Sequence, residues 1–266
     1  MFKQIALSAA LLATLGTTHA YQAEINAGYE NTDIENLGDL DTIFINGKYY
    51  LNGVQVKNAP LAEAAFLSKA SNIGLGYANA SGDGDEDIDA LGINGEFFIP
   101  NTQFYVSAAL NQTDFGDEDN TGYAFEVGYL PIEGLLLAVG AANENVDPVQ
   151  VANYGFTANL LNAVTVGEDT ALSLRAKYVT LIGNHYANFE GISYMGDETT
   201  YRLGADLYID PTLSVGVSIA DSTADESDTL FGVRAQKFFT PAIAAGVNYT
   251  TTDGTDSFGI NVTFRF

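Results

Sequence analysis

The chain has 266 residues and a formal net charge of −24, with 10 Lys and Arg against 34 Asp and Glu. Such a balance repels nucleic acid, whose binding needs clustered cations. Cysteine is absent, which removes disulfides and thiolate metal sites. Hydrophobic residues reach 47%, too many for an acidic disordered chain. Mean hydropathy nevertheless lies near zero, as it does when strands alternate a lipid-facing residue with a wet one.

Met1 to Ala20 reads as a secretory signal peptide. Lys3 gives the positive start, Ile5 to Leu15 is apolar but too short to cross a bilayer as a helix, and Thr18-His19-Ala20 offers small residues at a cut. The mature chain is expected to span 21–266. No later stretch approaches the roughly eighteen apolar residues of a membrane helix.

From Tyr21 the apolar residues fall on every second position. Tyr21, Ala23, Ile25, Ala27 and Tyr29 share one face of the first strand, Tyr21 to Glu30. The pattern recurs over Thr42–Leu51, Asn72–Asn79, Ile88–Phe98, Gln103–Thr113, Thr121–Tyr129, Leu135–Ala142, Ala152–Leu160, Thr170–Val179, Thr200–Ile209, Leu213–Ala220, Thr229–Phe239, Ala242–Thr250 and Ser257–Phe266. This predicts an all-β chain, a transmembrane antiparallel β-barrel of about 14 strands, or 12 or 16 if Val54 to Ala70 or Gly183 to Thr199 is misread. Aromatic residues gather at strand ends, among them Tyr29, Tyr49, Tyr77, Phe97, Phe104, Tyr129 and Tyr201, as membrane interfaces favour. A soluble β-sandwich would alternate too, but seldom over so many strands.

Connections divide into two kinds by parity. One set is short and carries Pro or Gly: Pro100-Asn101, Pro131 to Gly134, Asp210-Pro211-Thr212 and Thr240-Pro241. The other is acidic: Ser81 to Asp87, Asp114 to Asn120, Asn143 to Gln150, Asp221 to Asp228 and Thr251 to Asp256. Short turns on one side and longer loops on the other suit an outer-membrane barrel, with the termini and short turns periplasmic. Lys57 to Leu67 breaks the alternation; it is Ala-rich, begins at Pro60, and predicts a helical turn or two on the periplasmic side.

Two stretches carry a family resemblance. The closing strand SFGINVTFRF sets Phe258, Ile260, Val262, Phe264 and Phe266 on one face and resembles the C-terminal assembly signal of bacterial outer-membrane barrels. The segment PLAEAAFLSKASNIGLGY, together with the alternation after it, is similar to the general porins of Gram-negative bacteria. The resemblance implies a weakly selective channel in the outer membrane, assembled by the barrel assembly machinery among outer-membrane lipid and lipopolysaccharide. It names no solute.

With Phe266 outward, the charged inward positions are Glu24, Lys48, Glu96, Glu126, Arg175, Lys177, Arg202, Asp206, Arg234 and Arg265. Every mature Arg lies on a late strand and most early charges are acidic. This predicts a basic wall facing an acidic one, an arrangement that resembles the constriction of general porins and orients dipolar solutes.

Other motifs are weaker. Asp83-Gly84-Asp85-Glu86-Asp87 has the start of a calcium loop, but Ile88 stands where Gly is needed and Asn94 where the bidentate Glu belongs, so no specific metal site is expected. His185, the only mature histidine, is expected in a long loop near acids, where a barrel-mouth hydrolase would need it. No nucleophile motif accompanies it, so no catalytic residue and no cofactor is assigned. The expected function is a water-filled passive diffusion porin for small hydrophilic solutes and ions. The alternatives are a narrow or plugged barrel acting through acidic loops and, more remotely, the hydrolase.

Overall fold

The computed structural model describes residues 20–36, 38–82, 87–115, 118–143, 170–224 and 227–266. Among them, fourteen antiparallel strands close into one barrel in which each strand pairs with its sequence neighbours and β14 returns to β1. The strands are β1 (Ala20–Ile34), β2 (Gly38–Gln55), β3 (Asn72–Gly82), β4 (Ile88–Phe98), β5 (Phe104–Phe115), β6 (Glu118–Ile132), β7 (Leu135–Ala142), β8 (Ala171–Ile182), β9 (His185–Met195), β10 (Thr199–Asp210), β11 (Leu213–Ser222), β12 (Leu230–Thr240), β13 (Ile243–Thr252) and β14 (Thr255–Arg265). Closure satisfies every ladder without an exposed edge, which a strand protein in lipid requires.

The period-two pattern decides the faces. Ile43, Ile45, Leu75, Leu91, Ile93, Leu110, Leu137, Val217 and Val233 are all exposed on the outside. Between them, polar and small residues turn inward. Tyr29, Tyr77 and Tyr249 lie outward toward the loop end, and Tyr49, Phe104 and Tyr129 toward the end that holds the termini. The upper tyrosines are tied to neighbouring acids: Tyr29 Oη donates to Asp41 at 2.5 Å, Tyr77 Oη to Asp89 at 2.5 Å and Tyr249 Oη to Asp256 at 2.7 Å.

The tight turns use the residues such turns demand. Gly183, with φ +63, occupies the first central position between Ile182 and His185, where only a residue without Cβ takes positive φ cheaply. Gly134, with φ +78, does the same at the second position between Ile132 and Leu135.

Three expectations change. The expected connection over Gly183 to Thr199 is instead strand β9, paired to β8 and β10. The expected strand Ala152–Leu160 lies outside the described residues. β7 pairs directly with β8, so β8 runs opposite to the direction the sequence suggested. His185 therefore sits at the turn end, away from the acidic loops, with Nδ1 3.0 Å from the Ile209 carbonyl. The mouth-site arrangement imagined for it is not formed. Finally, a register shift between Tyr21 and Ala23 turns Tyr21 inward, where it meets Tyr50 edge-on at 5.4 Å.

Candidate functional site

The lumen is built from the inward register, and one segment enters it. Residues 57–70, between β2 and β3, form a 3₁₀ turn (Leu61–Glu63) and a short helix, α1 (Ala64–Leu67). The helical turns expected between the second and third strands are there, and they reach into the lumen. Leu61 packs with inward-facing Phe238 and Ala244. Ala64 and Ala70 pack with Tyr21, Tyr50 and Val54. Phe66 packs beside Tyr105, Leu130 and Leu136 through Phe98. At the termini end the inward register is thus apolar, and the Ala-rich segment is the apolar lid that covers it. Burying such surfaces stabilises at about 25 cal/mol per Å².

Polar latches fix the segment. Glu63 accepts from Lys177 Nζ at 3.0 Å and from Tyr208 Oη at 2.6 Å. The Leu61 carbonyl accepts from Arg265 Nη1 at 2.8 Å, and the Leu61 amide donates to the Pro211 carbonyl at 2.8 Å. Lys177 Nζ also lies 5.1 Å from the centre of the Phe66 ring. The Arg265 guanidinium lies 4.5 Å from the rings of both Tyr21 and Phe238, a favourable place for a cation.

All ten charged positions read from the sequence face inward, but the two signs are not segregated. Arg175 reaches Glu126 and Glu190, each at 3.1 Å. Arg234 holds Asp206 through two contacts of 2.7 and 2.9 Å. Arg265 meets Glu24 at 2.6 Å. Arg202 is buried at 2% exposure. Lys48 and Glu96 line the central cavity. The expected basic wall facing an acidic one is therefore a set of local pairs: buried charges are expensive unless neutralised nearby, so carboxylates one or two strands away sit against the arginines.

Small residues make room for these pairs. Asp206, Gly216 and Arg234 occupy one cross-strand row on β10, β11 and β12. A Cβ on Gly216 would fall 2.1 Å from Asp206 Oδ1 and 2.9 Å from Arg234 Nε. The pair closes only because that position is empty.

The space left is a cavity of about 260 Å³ beside the inserted segment, lined by Glu24, Lys48, Glu96, Asp206 and Arg234 and by the segment's own Glu63. On β14, Phe258, Ile260 and Val262 are exposed on the outside, while Phe264 and Phe266 are half-buried. The Phe266 carbonyl accepts from the amides of Gln22 and Ala23, and its amide donates to Ala23. The acidic stretch Asp83 to Glu86 lies outside the described residues.

A family model described as "Putative general bacterial porin" matches residues 1–266. The chain belongs to that family. Among solved structures, the porin is similar to the outer membrane protein Omp33 of Acinetobacter baumannii, at 30% identity and a TM-score of 0.73, over 94% of this chain and 100% of that one. It also resembles in fold a structure titled "Bacterial polysaccharide outer membrane secretin", at 11% identity and a TM-score of 0.53, over 94% and 99% of the two chains. No curated protein matches the porin. Family membership, with Omp33 at 30% identity, supports an outer-membrane location and a porin role.

Two functional residues escape a reading of the sequence alone. Glu190 was hidden because β9 went unrecognised. Glu63 lies in the Ala-rich segment between Ala62 and Ala64, a setting that suits a buried latch as well as a surface turn.

Proposed function

We propose that this porin is a narrow passive channel for ions and small hydrophilic solutes, exported through the periplasm after loss of residues 1–20 and inserted by the barrel assembly machinery through its terminal strand. The observation that carries the reading is the cavity of about 260 Å³, lined by charges of both signs, inside a closed barrel. Solutes would pass between the inserted segment and the charged wall, so size exclusion is set by the segment and not by the barrel diameter, which at this strand number exceeds what side chains alone fill. The passage presents paired charges and neutral polar groups, a lining that replaces part of a solute's hydration without trapping it.

A second reading, a plugged barrel with a structural role, is favoured by the burial of Leu61, Ala64 and Glu63 in the lumen. Single-channel recording separates the two. A channel gives small, steady currents in wild type and larger ones when residues 57–69 are replaced by a short Gly-Ser turn. Silence in wild type, with current appearing only in the shortened variant, would leave the plugged reading standing and remove the passive channel.

A further inference from the structure

Lys177, Arg234 and Arg265 on the cavity wall are each committed to a carboxylate, Glu63, Asp206 and Glu24 respectively. Arg175 is held by Glu126 and Glu190. Two charged groups on the same wall stand outside this scheme. Among the described residues, neither Lys48 nor Glu96 has an ion-pair partner, and both line the cavity.

The fold explains why they do not close on each other. Lys48 is on β2 and Glu96 on β4, with β3 between them. Two strand spacings separate the backbones by on the order of 10 Å, a gap that Asp206 and Arg234 bridge over Gly216 but that another side chain occupies here. In the row of Lys48, β3 carries Gly74, and a Cβ there would fall 2.1 Å from Asn94 Oδ1. Asn94 therefore lies against the wall over Gly74. In the row of Glu96, β3 carries Asn72. Neutral donors fix the Glu96 carboxylate: Asn72 Nδ2 reaches Oε2 at 3.0 Å and Tyr105 Oη reaches Oε1 at 2.8 Å. Each oxygen keeps acceptor capacity for one more donor. The result is a held anion and a long flexible cation facing one cavity from two strands apart.

We infer that Lys48 and Glu96 form a subsite for small zwitterionic solutes of the free α-amino acid class, with the solute carboxylate on Lys48 and its ammonium on Glu96. The inference rests on the channel reading above and specifies its solute. A simple anion would meet Lys48 but be repelled by Glu96 and by the acidic loop end. A simple cation would meet the reverse at Lys48. A zwitterion satisfies both and, being net neutral, crosses the acidic entrance without a Coulomb barrier. The space suits its size. About 260 Å³ lies just below the ~300–1,000 Å³ of pockets for drug-sized ligands. Tyr50 and Phe98 on the wall and Phe66 on the inserted segment give an apolar side chain a surface to pass along.

The test compares two isomers, zwitterionic L-alanine and neutral lactamide, in liposome uptake by the full chain, with potassium chloride conductance recorded for every variant. At low solute concentration L-alanine should enter wild type about fivefold faster than lactamide and show saturation, as a solvated ion-pair contact of about 1 kcal/mol predicts. Lys48→Gln and Glu96→Gln should each remove the preference while ion conductance persists. The swap Lys48→Glu with Glu96→Lys should restore it, because the dipole is reversed and the solute can turn. Lys237→Gln, a charge change on β12 beside Asp210 and outside the lumen, should leave it intact. Equal rates for the two isomers in a conducting wild type would overturn the subsite and spare the channel. A preference that survives in both single variants would overturn the assignment to these residues. A wild type with no ion current would remove the channel reading, and the subsite with it.

Discussion

Arg234 and Asp206 show what a charged side chain needs inside this barrel. Their side chains keep only 15% and 11% of their exposure, so each depends on the other for solvation. Removing one partner of a buried pair costs about 3–5 kcal/mol because the survivor is left uncompensated, whereas removing both is far milder. Asp206→Asn should therefore lower the denaturant midpoint for unfolding from detergent micelles more than Asp206→Asn combined with Arg234→Gln. If the double variant were the less stable of the two, the pair would not be acting as a unit. Gly216→Ala belongs to the same test. Its new methyl would collide with the carboxylate, and the variant should behave like Asp206→Asn although it changes no charge.

At the scale of single strands, the lipid face and the lumen face should respond differently to the same insult. Val262 is outward on β14, paired with Ala27 on β1 and Ala245 on β13, near the middle of the strand. Arg at such a position costs about 2–4 kcal/mol at the bilayer midplane. Asn261, the next residue, faces the cavity and should accept Arg with little loss of folding yield into vesicles. Equal losses at both sites would mean that the faces are reversed. Thr263 is a different case: it is inward too, but buried at 5% exposure, donating to Asn26 at 3.4 Å. By strand period alone Thr263 and Asn261 are equivalent; the packing around Thr263 makes Arg intolerable there.

The same contrast explains which elements were legible. β4, Ile88–Phe98, has Leu91, Ile93 and Phe97 outward and Asn94 and Glu96 inward, so its period shows its limits. β9 hides because its faces are mixed. Outward it offers Phe189 among small residues such as Ala187, Gly191 and Ser193, while Ile192 and Tyr194 are buried inside with Ala124, Ala142 and Ala171. An apolar cluster within the lumen cancels the alternation that marks a strand. The inward charges could be listed from parity alone. Their pairing could not, because Glu63 and Glu190 reach their partners through an inserted segment and an unrecognised strand.

Across the whole molecule, charge is sorted along the barrel axis. Lys57, Lys69 and Lys237 lie toward the end that holds the termini, and the remaining mature cations face the lumen. The opposite end carries Asp39, Asp87, Asp197, Glu198, Asp228 and Asp253 at its connections. Asp83, Asp85, Glu86, Asp117, Asp225 and Glu226 belong to the same connections and lie outside the described residues. An acidic mouth concentrates cations and depletes anions. The lumen arginines, being paired, oppose this less than an unbroken basic wall would. A reversal potential across a salt gradient should show cation preference at low salt. The preference should fade toward 1 M, where the Debye length is about 3 Å. Neutralising Asp87, Asp114, Asp221 and Asp228 should weaken it at low salt only. Anion preference at low salt would mean that the lumen cations govern the current after all.

Closure of the ring has a consequence in time. The Glu24 carboxylate is bonded to Arg265, 241 positions later, and the seam between β1 and β14 runs from that row to Ile34 opposite Thr255. A neighbour-paired sheet can grow hairpin by hairpin, but this last seam has to wait for the whole chain. Until then every intermediate presents two raw strand edges and an apolar outer face, the combination most prone to pairing with the wrong molecule. Joining ends so distant in sequence is also the slowest kind of contact to form. The hazardous interval in the life of this protein is therefore the one between release of its final strand and the moment that strand finds the first.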